Sequence, residues 1–231
     1  MTQPPVDADR VLRDFSGEVP VFPLPSLVLF PDTIVPLLIF EDRYRAMVKE
    51  ALEGERLIAI ALLKPGWETQ YEGNPPYFER VCVGTIVSHE LMPDGRYKIL
   101  LYGLFRADVV AETQATPYRK VKARVCEDAV HSSQMTDLDE RLHRALDMIP
   151  GRRGRVGRIR KLASDVRGTG GGPGRLADAA AEAAELDADD RYRLLAESDV
   201  LRRFDLLISL LDKKARAVPD TLPPRADSSL N

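Results

Sequence analysis

In the first half of the chain, apolar residues fall in short runs rich in Val, Ile and Leu: Val19–Phe22, Thr33–Ile39, Leu57–Leu63, Val81–Leu91, Tyr97–Tyr102, Phe105–Val110 and Val121–Val125. Pro, Gly and Asp flank these runs, so each predicts a strand. Between Leu91 and Tyr97 stands Pro93-Asp94-Gly95, and Asp-Gly tolerates the positive φ angles of a tight hairpin. One helix interrupts the strands. Tyr44, Met47, Val48, Ala51 and Leu52 recur at three- and four-residue spacing, with Glu41, Asp42 and Arg43 at the start and Gly54 at the end.

Between residues 128 and 137 the period changes to that of a helix. Thr136 followed by Asp139 forms a capping-box-like start, and Leu138, Leu142, Ala145 and Ile149 share a face. Gly168 to Gly174 holds five glycines and a proline, which predicts a flexible link. Three further helices are predicted over Leu176–Leu186, Asp189–Leu195 and a longer stretch whose stripe is Val200, Leu201, Phe204, Leu207, Ile208 and Leu211. Strands followed by helices imply an α+β fold. The expected division is a flexible N-terminus over 1–17, a strand-rich part over 18–128, a helical part over 129–217 with its link at 168–174, and a flexible tail over 218–231.

Composition narrows the class. Of 231 residues, 44% are hydrophobic and 30% charged, the balance of a soluble globular protein. A net charge of -3 gives the whole molecule no pull toward nucleic acid or anionic membrane. Met1 to Phe15 is polar, so no secretory signal is expected. The most apolar stretch, Leu24 to Phe40, is interrupted by Pro25, Pro31, Pro36 and Asp32, and reads as buried strands rather than a membrane span. Cys82 and Cys126 are expected to be reduced thiols in a cytoplasmic protein.

Little points to catalysis. His89, His131 and His143 stand far apart with neither cysteine beside them, so no zinc motif forms and no metal is expected. Gly168 to Arg175 lacks the Lys-Ser/Thr pair of a phosphate-cradling loop, and no Gly-x-Ser-x-Gly elbow is present. The expectation is a non-enzymatic protein with no catalytic residue and no cofactor.

Two clusters remain as candidate contacts. Arg152, Arg153, Arg155, Arg158, Arg160 and Lys161 could meet phosphates if they shared a face. No aromatic lies among them to stack bases, which favours a solvated helix with Val156, Ile159 and Leu162 turned inward. The loop Lys64 to Phe78 carries Trp67, Tyr71, Tyr77 and Phe78. Such aromatics either grip a partner, burying large area at low entropic cost, or fold back as a lid over the apolar end of the strand-rich part.

Taken in order, Val21-Phe22-Pro23-Leu24-Pro25, Val28-Leu29-Phe30-Pro31, Pro36-Leu37 and Ile39-Phe40-Glu41-Asp42-Arg43-Tyr44-Arg45-Ala46-Met47 resemble the opening of the Lon protease N-terminal domain. Val83-Gly84-Thr85, Asp94-Gly95-Arg96-Tyr97, and Tyr102-Gly103 through Arg106 extend the likeness. So do Leu176-Ala177-Asp178, Leu194-Leu195-Ala196-Glu197 and Asp199-Val200-Leu201-Arg202-Arg203 near the end. The resemblance implies a bent, PUA-like β-barrel followed by a helical bundle, acting as a free-standing substrate-recognition domain. Its implied partners are unfolded or specific client polypeptides and a protease system. An RNA-binding module using Arg152 to Lys161 is the alternative. Most of the matched motif is expected to be structural, with Phe22, Leu29, Phe30, Ile39 and Phe40 in the core and Arg43 and Arg45 paired locally to Glu41 or Asp42.

Overall fold

The computed structural model describes residues 6–70, 73–130, 135–149, 153–166 and 172–217. Among them are six strands: β1 (Glu18–Leu24), β2 (Ile34–Ile39), β3 (Leu57–Leu62), β4 (Arg80–Leu91), β5 (Tyr97–Gln114) and β6 (Arg119–Cys126). The helices are α1 (Ala8–Asp14), α2 (Asp42–Glu53), α3 (Met135–Met148), α4 (Arg153–Val166), α5 (Pro173–Ala183), α6 (Ala188–Ala196) and α7 (Val200–Ala217). The fold is α+β, with one mixed sheet.

The sheet runs β2-β5-β4-β3-β1-β6, and β6 pairs again with the second half of β5. Five strands, β5-β4-β3-β1-β6, therefore return on themselves, and only β2 stands outside the circuit. β1 and β3 are parallel, a pairing that needs a crossover, which the segment containing β2 and α2 supplies. All other pairs are antiparallel. The Asp94-Gly95 turn joins β4 to β5 as expected: Gly95 has φ +83° and donates its N–H to the Met92 carbonyl at 2.9 Å.

Alternation along the strands makes two cores. Val19, Val21, Ala59, Ala61, Val81, Val83, Ala107 and Val121 pack together within the circuit. Their neighbours Phe22, Ile58, Ile60, Leu62 and Cys82 face outward and join the apolar sides of α2, α3, α5, α6 and α7 in a second cluster. β3 is buried at every residue, which explains why Leu57–Leu62 is an unbroken apolar run rather than an alternating one.

Three features differ from the sequence-based expectation. Tyr97–Tyr102 and Phe105–Val110 are one strand, because Gly103 is a close approach and not a break. A side chain there would place its Cβ 2.1 Å from the Phe30 carbonyl oxygen. The strap around Phe30 is then pinned by two bonds of 2.9 Å, from Asp32 N–H to the Gly103 carbonyl and from Gly103 N–H to the Thr33 carbonyl. Phe22, Leu29, Phe30 and Ile39 are in the core, but Phe40 is 61% exposed, since adjacent residues of a strand point to opposite faces. Finally, α1 forms within the polar N-terminal stretch, N-capped by Asp7. Arg43 and Arg45 are paired locally, to Glu41 at 2.8 Å and to Asp42 at 2.9 Å.

A buried ionic network ties the sheet to the helices. Arg106 of β5 (3% exposed) donates through Nη1 to Asp178 Oδ2 of α5 at 2.9 Å and through Nε to the Leu195 carbonyl at 3.0 Å. Arg203 of α7 (0% exposed) donates to Asp178 Oδ1 at 3.2 Å and to the Glu197 carbonyl at 2.9 Å, and pairs with Asp128. Burial alone would pull the Arg106 guanidinium down, but the carboxylates of Asp178 and Asp128 more than offset it and hold its pKa above the ordinary value.

At the strand end of this junction, Arg80 donates to Asp108 at 2.7 Å and to Ser198 at 3.0 Å. Burial pushes the Asp108 carboxyl up, yet the hydrogen bonds from Arg80 and Cys126 and the nearby positive charges of Arg80 and Arg124 leave it below the usual range. A carboxylate with a depressed folded-state pKa stabilises fully above the unfolded value, about 4, and loses that contribution as pH falls through its folded value. Asp108→Asn is accordingly expected to flatten the fall of stability below that range, as read from urea midpoints against pH.

Candidate functional site

Among the described residues β2 is the terminal strand of the sheet, paired on one side only. Ile34 (53% exposed), Pro36 and Leu38 (45% exposed) alternate onto its outward face, and Phe40 continues the series. Across the ladder Pro36 lies opposite Leu100 and Leu38 opposite Lys98, and these pair in turn with Ser88 and Glu90 of β4. Leu100 is itself exposed. The result is an apolar strip at a sheet edge, bounded by polar and charged residues, over a shallow cleft of about 450 Å³ that Pro36, Leu38, His89 and Leu100 help to line. This corrects the reading of Leu24 to Phe40 as buried strands: β2 has one buried face only.

The backbone at this edge is also available. The Thr33 carbonyl accepts from Gly103 N–H of β5, so by antiparallel alternation the main-chain groups of Ile34, Pro36 and Leu38 turn to the open side. Pro36 has no N–H, which leaves donors at Ile34 and Leu38 and acceptors at all three. An edge with a missing donor resists unlimited strand-on-strand stacking while still accepting a short extended segment.

The loop aromatics are placed differently from this strip. Trp67 lies in a short 3₁₀ turn, Trp67–Gln70, half-buried against the cluster inside the strand circuit. Tyr77 is 7% exposed, with the Arg119 guanidinium 4.2 Å above its ring, and Phe78 stacks on Tyr192 of α6 at 4.3 Å. Tyr71 lies outside the described residues. In the basic cluster, Arg152 also lies outside them, while Arg153 and Arg155 belong to the first turn of α4. Arg158, Arg160 and Lys161 are exposed, Arg160 pairs with Asp147 of α3, and Ile159 is buried.

Both cysteines are free, Cys82 on β4 and Cys126 on β6. Burial pushes the Cys82 thiol far up, and burial with a hydrogen bond to Asp108 raises that of Cys126, so neither is poised as a thiolate. Among the described residues no group of three or more His, Cys, Asp or Glu is placed to hold a metal ion, and no helix is long and apolar enough to cross a membrane.

The fold is that of Lon N-terminal domains. It is shared with the N-terminal domain of a Mycobacterium avium complex Lon protease, at TM-score 0.63 and 20% identity over 84% of this chain and 98% of that one. A Lon N-terminal domain protein from Xanthomonas campestris gives TM-score 0.57 and 22% identity over 83% and 97%. The chain belongs to the ATP-dependent protease La (LON) substrate-binding domain family, whose model matches residues 18–213. The Lon protease of Xanthomonas oryzae pv. oryzae is 28% identical over 221 residues, 91% of this chain and 25% of that protein. The chain thus spans about a quarter of the length of the curated relatives it matches.

Proposed function

We propose that the chain recognises polypeptides without catalysing a reaction on them, by seating an extended apolar segment of an unfolded client along β2. The single observation that carries this reading is the exposed face of Ile34, Pro36, Leu38 and Leu100 beside an unpaired strand edge. Main-chain hydrogen bonds from the edge would give affinity that tolerates many sequences, and the apolar strip would favour clients with apolar residues at alternate positions. Membership of a substrate-binding domain family supports the choice of a polypeptide as ligand. In this reading residues 18–128 act as a PUA-like barrel and 129–217 as a helical bundle that braces it, and a protease system receives the bound client.

The test is a titration of the chain with a labelled, permanently unfolded protein, alongside a labelled RNA at low and moderate salt. Leu38→Asp is expected to weaken binding of the unfolded protein about tenfold or more, since a carboxylate would have to be desolvated in the contact. Trp67→Ala is expected to leave it unchanged. The reverse pattern would move the site to the Trp67 loop, and salt-sensitive binding of RNA alone would move it to α4.

A further inference from the structure

The family match begins at residue 18, after α1. Ala8, Val11, Leu12 and Phe15 occupy positions i, i+3, i+4 and i+7, a single helical face. That face packs on the cluster enclosed by the strand circuit, with the Phe15 and Phe105 rings 5.3 Å apart between centroids. The attachment is slight. None of the seven residues of α1 is buried, and its N-cap bond, Arg10 N–H to Asp7 Oδ1 at 3.1 Å, and its ion pair, Arg10 to Asp14 at 3.7 Å, are both internal. Among the described residues no hydrogen bond or ion pair joins Ala8–Phe15 to another element. A helix this short has no stability of its own in water.

The surface beneath is apolar and borders open space. Leu104 and Phe105 of β5 and Val125 of β6 line, with Leu12, the apolar side of a cleft of about 870 Å³ between α1 and the first turn of α5, whose other walls carry charged residues such as Asp32, Arg106 and Arg175. Leu104 and Phe105 are each 8% exposed with α1 in place. Lifting α1 would extend the open cleft over both.

We propose that α1 is a displaceable cover, and that the surface under it on β5 and β6 takes an amphipathic helical segment of a polypeptide partner with apolar residues at i, i+3, i+4 and i+7. The occupant's chemistry is read from α1 itself, which holds the surface in the free protein. The inference rests on the reading of the chain as a polypeptide-recognition domain, and adds to it a second contact surface that is masked until α1 leaves. A partner segment must compete with α1, so its apparent affinity is reduced by the fraction of molecules in which the surface is covered.

The test uses a labelled peptide with the sequence of residues 6–17 as probe. Arg13→Pro acts from an exposed position in the full chain and removes a helical hydrogen bond from α1. The probe is expected to bind Arg13→Pro about tenfold or more tightly than the unaltered chain, and Val125→Asp added to that variant is expected to abolish the gain. Leu12→Asp should match Arg13→Pro. Equal probe affinity in all variants would overturn the proposal, as would loss of cooperative unfolding in both Arg13→Pro and Leu12→Asp, which would make α1 part of the core. A dimer of the unaltered chain that Arg13→Pro and Leu12→Asp both abolish would assign the surface to α1 of a second copy and would also overturn it. Weakening of unfolded-protein binding by Leu38→Asp together with no gain for the probe in Arg13→Pro would keep the β2 site and remove the cover.

Discussion

Replacing Asp178 by alanine is expected to destabilise the chain by about 3–5 kcal/mol, the cost of leaving buried guanidinium groups without their carboxylate. Asp178 is 1% exposed and stands between Arg106 and Arg203, both of them buried. Asp128 also pairs with both arginines, but it is partly exposed and stands 3.6 Å from Arg106, without the two-oxygen contact that Asp178 gives that guanidinium. The measurement is the urea midpoint at fixed slope. Glu90→Gln, which removes the exposed pair with Lys98, is expected to change stability by less than about 1 kcal/mol, because that pair is solvated on both sides. Equal effects of the two substitutions would mean that the network does not join sheet and helices as described.

Gly103→Ala is expected to be the second large loss, about 3 kcal/mol or more. The added methyl would sit 2.1 Å from the Phe30 carbonyl oxygen, and that neighbour is backbone, which cannot turn aside as a side chain could. Relief requires the Phe30–Thr33 strap to move, and both of its 2.9 Å bonds to Gly103 would go with it. β2 begins directly after this strap, so the substitution is also expected to loosen the open edge. Gly66→Ala is the control for side-chain volume: nothing lies within 4 Å of its Cβ position, although its φ of +86° carries a modest strain of its own. A small effect at Gly103 would contradict the close approach.

Much of this fold is legible in the chain, for reasons that differ by element. The β4–β5 hairpin and α2 carry local signals, an Asp-Gly turn and a three- and four-residue apolar spacing, and both stand where those signals put them. β3 is legible as a strand from its continuous run of Leu, Ile and Ala, and its burial on both faces gives the physical reason for that run. The ionic network is not legible, because Arg106 and Asp178 are 72 residues apart and Asp178 and Arg203 a further 25. An arginine that will be buried looks the same in sequence as one on the surface. The family likeness read from motifs between Val21 and Arg203 agrees with the family match over residues 18–213.

The candidate site is less legible in the chain. Ile34, Leu38 and Phe40 look like core residues, and only the register of β2 against β5 shows that its even-numbered positions face out. A strand whose apolar residues fall on both faces is ambiguous between a central strand and an edge strand until its neighbours are known. Pro36 does not mark the edge by itself, although prolines favour edge strands, since Pro20 and Pro23 stand in β1, which is paired on both sides. Composition alone singles out the aromatics of the Trp67 loop, whereas in the fold Tyr77 and Phe78 are engaged with Arg119 and Tyr192.

Recognition along β2 is tested most directly by amide hydrogen exchange of the chain with and without a saturating, permanently unfolded protein. The expected result is new protection at the Ile34 and Leu38 amides, the two donors on the open edge, with the amides of α4 and of Trp67–Gln70 unchanged. Saturable binding that protects either of those segments and leaves Ile34 and Leu38 exchanging at their free rates would contradict it.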